Sequence, residues 1–327
     1  MLIGTGCGSS DSRQESEQRV SAKRLHRQVA RRQTLERKLA RARQAHRRRE
    51  AERAEQAGSS GPGGGASALL KPGATRSFER LAASLPARVG VTLAPLGGGA
   101  AESFGSLQTG HAWSTIKVPI LVTLLRGRDE ELGSREAQWA TGAIEASDNS
   151  AAASLFHQLE RGHGGLGGAS AAVQDVMGLV GNSTTVATAP PPSGAVSTYG
   201  QTEWSTGEAT AFFRALANGC LLGPAGTEYV LGLMRNVIPE QRWGLGEAGF
   251  DPGWSVGMKG GWGPEAGSGA YLVRQSGLIQ SGSSGVAVTM IAEDSAGSFG
   301  AGAQDLTRIG VWLRKSLRNL GPPASGC

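Results

Sequence analysis

Two lysines stand where arginine carries the rest of the positive charge. Between Gly73 and Gly310 the chain has twelve arginines and only two lysines, Lys117 and Lys259. Lys117 closes the run Ser114-Thr115-Ile116-Lys117, and Lys259 opens Lys259-Gly260-Gly261-Trp262. A guanidinium is effectively always protonated, whereas a buried lysine can be tuned to release its proton. Codon preference in a GC-rich genome explains why lysine is scarce, but not where these two sit. On a helix, a hydroxyl three residues before an amine shares its face. Ser114 and Lys117 therefore lie on one face, and a lysine kept at each of two motif positions suggests that both amines have chemistry to do.

The elements around these residues read as follows. Phe78–Leu85 is a short helix, and Arg88–Ala94 and Ala101–Leu107 are strands joined by the turn Gly97-Gly98-Gly99. Trp113–Leu125 is a helix with Ser114 in its first turn, where free N–H groups and the helix dipole favour a developing anion. Its continuation, Val118-Pro-Ile-Leu-Val-Thr-Leu-Leu125, is apolar enough to be buried. Ser134–Ala146 is a helix with Ser134 as N-cap and Glu136 in its first turn, and Ala151–Leu159, Ala171–Leu179 and Thr206–Ala217 are further helices. Val256–Trp262, Ala270–Ile279 and Gly285–Ala292 are three strands, and Gln304–Leu317 is a closing amphipathic helix.

Ser147-Asp148-Asn149 lies between the two lysine motifs. The order S-x-x-K, S-D-N, K-x-G is the active-site set of class A β-lactamases and penicillin-binding proteins. From about Thr75 to Leu320 the chain resembles a class A β-lactamase-type serine hydrolase. The resemblance implies an α+β fold: a five-stranded antiparallel sheet flanked by helices beside an all-helical lobe, with the site between them. It implies acylation of Ser114 with Lys117 as base, Ser147 as proton relay and Lys259 as the source of positive potential. Asn149 would contact the acyl amide of the substrate. Gly261 and Trp262 would line the substrate strand, and the Trp262 N–H would share an oxyanion hole with that of Ser114. Asp148 would hold the turn. The substrate implied is a β-lactam or a D-Ala-D-Ala-like peptide end, and no cofactor or metal is called for.

Three features depart from that pattern. Gly260 lacks the hydroxyl usual between the Lys and Gly of the third motif. The stretch Val180-Gly-Asn-Ser-Thr-Thr-Val-Ala-Thr-Ala-Pro-Pro-Pro192 has no carboxylate where the hydrolytic Glu is usual, and Glu160 and Asp175, upstream of that window, fall on helices. Ser114 and Ser147 are 33 residues apart, a short spacing that points to an open cleft. No Arg takes the strand position that assists a substrate carboxylate, leaving Arg274 and Arg242 as candidates. Slow deacylation follows from the missing Glu. The alternative is a degenerate homologue that binds cell-wall peptide or a protein partner without turnover. An esterase of the broader penicillin-recognising group would carry a Tyr motif in place of S-D-N, and this chain does not.

His111, His157 and His163 read as satisfied or exposed histidines rather than a triad or metal set, and Trp204, Trp243 and Trp254 as packing. Cys7, Cys220 and Cys327 have no spacing of a disulfide framework or metal site.

Charge divides the rest of the chain. Residues 11–57 carry 15 Lys+Arg against 7 Asp+Glu, a net of +8, while the whole chain is +6. The basic character thus belongs to an appendage, which argues against nucleic acid as the protein's partner. Ser12–Gln56 has no Gly or Pro and reads as a separate basic helix with a thin apolar stripe. It is either a solvated, self-associating helix or a surface for anionic envelope polymer or membrane. The domains expected are residues 1–10 as a remnant of a lipoprotein signal, 11–57 as the basic helix, 58–73 as a Gly/Ser/Pro linker, 74–320 as the catalytic domain and 321–327 as a tail. An extracytoplasmic envelope protein, lipid-anchored at Cys7, follows if the signal begins upstream of Met1. A cytoplasmic one follows if Met1 is the true start and Cys7 is not processed. No run of apolar residues is long enough for a transmembrane helix.

Overall fold

A computed structural model describes residues 69–189, 196–265, 269–295 and 297–321. The basic segment 11–57, the N-terminal residues 1–10, most of the linker and all of the tail beyond Gly321 lie outside the described residues.

In chain order the elements are α1 (Ala74–Ala83), β1 (Arg88–Pro95), β2 (Glu102–Gly105), β3 (Thr109–His111), a 3₁₀ turn (Trp113–Ile116) and α2 (Lys117–Arg126). The helices α3 (Ser134–Glu145), α4 (Asn149–His163) and α5 (Leu166–Gly178) follow. After a 3₁₀ turn (Tyr199–Gln201) come β4 (Glu203–Ser205), α6 (Thr206–Ala217) and α7 (Pro224–Arg235). A third 3₁₀ turn (Pro239–Gln241) leads to β5 (Ser255–Pro264), β6 (Tyr271–Ser281), β7 (Ser284–Asp294) and α8 (Phe299–Ser316). The sheet order is β2-β1-β7-β6-β5 with every pairing antiparallel, and β3-β4 form a separate ribbon. The α+β fold expected from the sequence is the fold found.

The strands separate two cores. Val89, Val91, Leu93, Val273, Val288 and Met290 pack with α1 and α8. On the alternate positions, buried hydroxyls face α6: Thr92 Oγ1 lies 2.8 Å from Thr206 Oγ1, and Ser276 Oγ lies 3.0 Å from Thr289 Oγ1. A second core joins α2 to α3, α4, α5, α6 and α7. Burial on both faces explains why β7 reads as a near-continuous apolar run, and β6 is buried along most of its length despite Arg274, Gln275 and Ser276 at its centre. Lys117–Leu125 are all buried, so α2 is the central post of the helical lobe. Pro119 is tolerated because it sits in the first turn, where its missing N–H is no loss.

Several expected boundaries are corrected. The Ser114 motif lies on a 3₁₀ turn, and α-helix begins only at Lys117. The N-cap of α3 is Gly133 rather than Ser134, and its N–H donates to Glu136 Oε2 at 3.1 Å. Helix α8 starts at Phe299, earlier than expected, capped by Ser298. Its glycines hid that start; Gly302 is needed there because a Cβ would come within 2.5 Å of Val273 Cγ2. The helix α7 and the ribbon β3-β4 were not expected at all. Leu69 and Leu70, assigned to the linker, are buried, and the Lys71 N–H donates to Ser316 O at 2.8 Å. Cys220 is disulfide-bonded, although the spacing of the cysteines suggested no disulfide framework. Chain spacing alone carries no information about which cysteines meet.

Candidate active site

The 3₁₀ turn carrying Ser114 buries Trp113, Thr115 and Ile116 and leaves Ser114 partly accessible. Trp113 has φ 45°, in the left-handed region that disfavours a bulky side chain. Ser147 has φ 58°. Each such residue costs on the order of 1–2 kcal/mol, offset here by the packing around it.

Edge strand β5 meets this turn through glycine. A Cβ on Gly261 would fall 2.8 Å from Ser114 N, 2.9 Å from Ala112 O and 3.0 Å from Thr115 N, so only glycine permits the approach. That contact sets the backbone of Trp262 next in line to the Ser114 N–H. One residue earlier, a Cβ on Gly260 would fall 2.5 Å from Trp243 Cζ2. The indole therefore occupies the space that the hydroxyl side chain of the third motif would need.

Both lysines converge on the turn before α4. Lys117 Nζ donates to Ser147 O at 2.7 Å, to Asn149 Oδ1 at 2.9 Å and to Asp148 O at 3.3 Å. Lys259 Nζ donates to Ser147 Oγ at 2.7 Å and to Gly260 O at 3.0 Å. The two lysines are 2% and 1% exposed. Burial lowers Lys117 to about 8, against the opposing pull of Asp148. Burial, followed by the charge of Lys117, holds Lys259 well below the usual lysine range. Asp148 turns away to cap α4, accepting from Ala151 N at 2.6 Å. Of the residues named from sequence, Lys117, Ser147, Asn149 and Lys259 form one hydrogen-bonded group. Gly261 abuts the Ser114 turn, while the Trp262 ring packs against Trp243 and Phe299.

Arg274 does not take part. It is fully buried on β6, donating from Nη1 to Gly110 O, His111 O and Trp204 O at 3.0–3.3 Å, with its Cζ 5.5 Å over the Trp204 ring. It pins the β3-β4 ribbon to the sheet and is corrected from substrate candidate to structural residue. Arg242 is exposed at the end of a 3₁₀ turn. Trp204 and Trp243 are core residues, and Trp254 stacks on Phe250 at 6.0 Å. His111 Nδ1 lies 2.8 Å from Glu265 Oε2, and that hydrogen bond raises the imidazole above its ordinary value. His157 pairs with Glu160 at 2.8 Å on the exposed face of α4. No cluster of three or more metal-ligating side chains occurs among the described residues.

The loop after α5 is held by a residue that sequence reasoning missed. Glu208 of α6 accepts from Ser183 N, Ser183 Oγ and Thr184 Oγ1 at 2.7–2.9 Å, while the Glu208 carbonyl accepts from Asn182 Nδ2. The S-x-x-E pattern Ser205-Thr206-Gly207-Glu208 was the available signal, and Ser205 caps α6 by accepting from Glu208 N. The hydroxyls of Ser183 and Thr184 are thus committed to Glu208. Between Asp175 and Glu203 the chain contains no carboxylate. Pro190–Pro192 of this stretch lie outside the described residues.

No family model and no curated protein sequence matches the chain. Solved structures do. The chromosome-encoded β-lactamase of Vibrio parahaemolyticus aligns with TM-score 0.58 at 14% identity, over 74% of this chain and 98% of that one. A β-lactamase from Xanthomonas campestris pv. campestris aligns with TM-score 0.59 at 17% identity, over 74% and 96%. A mutant of PBP-A, solved as an acyl-enzyme complex with penicillin G, aligns with TM-score 0.57 at 19% identity, over 74% and 95%. The chain has the β-lactamase/penicillin-binding-protein fold. At these identities the likeness establishes architecture, and the activity must be argued from the site.

Proposed function

We propose that the protein is a serine acyl hydrolase of the β-lactamase and penicillin-binding type, acylated at Ser114 by β-lactams or D-Ala-D-Ala-like amides and slow to deacylate. The observation that carries this reading is the pair of buried lysines joined through Ser147. A site that only bound peptide would have no use for two amines desolvated together, since the arrangement costs stability. With its proton released, Lys117 draws the proton from the Ser114 hydroxyl as the oxygen attacks the carbonyl carbon. The tetrahedral oxyanion is met by the N–H groups of Ser114 and Trp262. Ser147, bonded to Lys259, passes a proton to the departing nitrogen as the C–N bond breaks, leaving acyl-Ser114. PBP-A, which shares the fold, forms such an acyl-enzyme with penicillin G in mutant form.

Deacylation needs a base that activates water. Glu160 lies eleven residues along α4 from Asn149, roughly 16 Å down the helix axis, and its carboxylate is paired with His157 Nδ1 at 2.8 Å. Incubation with a fluorescent penicillin, followed by denaturing electrophoresis, tests the reading. A band that disappears in Ser114→Ala supports it, and absence of any label on the wild-type chain overturns it.

The second reading, a binder without turnover, draws support from Trp243 filling the space beside Gly260. Carboxylate recognition there rests on Lys259 and backbone groups alone. The envelope is the proposed location, which the disulfide at Cys220 suits because such bonds persist in oxidising compartments. The basic segment 11–57 is proposed to touch anionic polymer or lipid. None of the described helices is long and apolar enough to cross a membrane.

A further inference from the structure

Charge is segregated within the folded domain itself. Residues 69–84 and 299–321, which include α1 and α8, carry seven Lys+Arg against two Asp+Glu. Residues 85–298 carry 11 against 18. All seven cations are exposed, whereas Asp305, one of the two acids, is buried. Between α1 and α8 runs a groove of about 720 Å³, rimmed by Lys71, Arg76, Arg80, Arg308 and Lys315 and lined by no carboxylate. Its floor is apolar, with Leu81, Val311 and Trp312. The indole N–H of Trp312 is tied to Ser77 Oγ at 2.9 Å, which holds the ring in place.

We propose that this groove is a docking face for a bilayer surface bearing anionic phospholipid, with phosphates against the cationic rim and acyl chain against the floor. A cationic rim around an apolar floor suits a ligand that is both anionic and apolar. It does not suit the chain's own segment 11–57, whose net charge of +8 has the same sign. The first described residues of the domain, Leu69 and Leu70, lie beside the groove, where Leu70 bridges Leu317. The α1–α8 layer covers the sheet face opposite the hydroxyl face packed by α6. Docking there leaves the Ser114 cleft uncovered.

The test is flotation of the full chain with phosphatidylcholine vesicles, with and without phosphatidylglycerol, at physiological salt. Binding is expected only where phosphatidylglycerol is present. The triple substitution Arg76→Gln, Arg80→Gln, Lys315→Gln, all at exposed positions, should lower the partition coefficient on the order of 100-fold. Vesicles with brominated acyl chains should quench wild-type fluorescence more than that of Trp312→Phe. Equal binding by the triple variant assigns the contact to residues 11–57 and overturns the proposal. Equal quenching of wild type and Trp312→Phe, or no preference for phosphatidylglycerol, overturns it as well.

Discussion

Lys117 is the residue on which the proposed chemistry turns. Burial brings its proton to about 8, so the amine is mostly charged at neutral pH and becomes a base as pH rises. Acylation should therefore climb through about pH 8 and level off above it. Lys117→Arg keeps the charge but accepts no proton. It should lose that limb and slow acylation by roughly 10²–10⁴-fold. Single-turnover labelling across pH checks both, and wild-type-like rates in Lys117→Arg would remove Lys117 from its role. Gly261 makes a different demand. A methyl there meets backbone at 2.8–3.0 Å, which cannot rotate aside. Gly261→Ala should cost about 1–3 kcal/mol and displace the Ser114 N–H, cutting acylation at least tenfold. Thermal melting and labelling should report both losses.

At the scale of elements, the loop after α5 decides turnover. In Asn182–Thr184 the hydroxyls and the Asn182 amide are spent on Glu208, so the loop presents no base toward the acyl-enzyme. The acyl-Ser114 adduct should persist for minutes or longer by intact mass. Glu208→Ala should loosen the loop, costing about 2 kcal/mol in a denaturant melt, while leaving the adduct lifetime unchanged. A lifetime that lengthens in Glu208→Ala would identify Glu208 as the hydrolytic base and reverse the structural assignment. The Ser147 turn was more legible. Asp148 was expected to hold the turn, and it does so by capping α4. What sequence could not give was the 3₁₀ form of the Ser114 turn. Apolar periodicity is the same for a helix that starts at Trp113 and one that starts at Lys117.

For the whole molecule, the domain extends N-terminally to Leu69 and closes on itself there. Leu69 and Leu70 are 5% and 6% exposed against the last turn of α8. A chain beginning at Ala66 should fold and label like the full-length protein. One beginning at Lys71 should lose on the order of 3–6 kcal/mol, from two leucines left out of the core. Urea melts of the two truncations separate these outcomes, and equal stability would show that the pair contributes little.

The amino-acid sequence by itself determined the motifs and the charge of each segment, and the α+β class followed from the resemblance that the motifs carry. Each of these is local, resting on residue types a few positions apart. Tertiary structure decided what depends on distant segments meeting. It joined Lys259 to Ser147 across 112 residues, drew Arg274 inward to the β3-β4 ribbon and set Trp243 against Gly260. It also lowered both lysines, because desolvation belongs to the packed interior and no spacing along the chain encodes it.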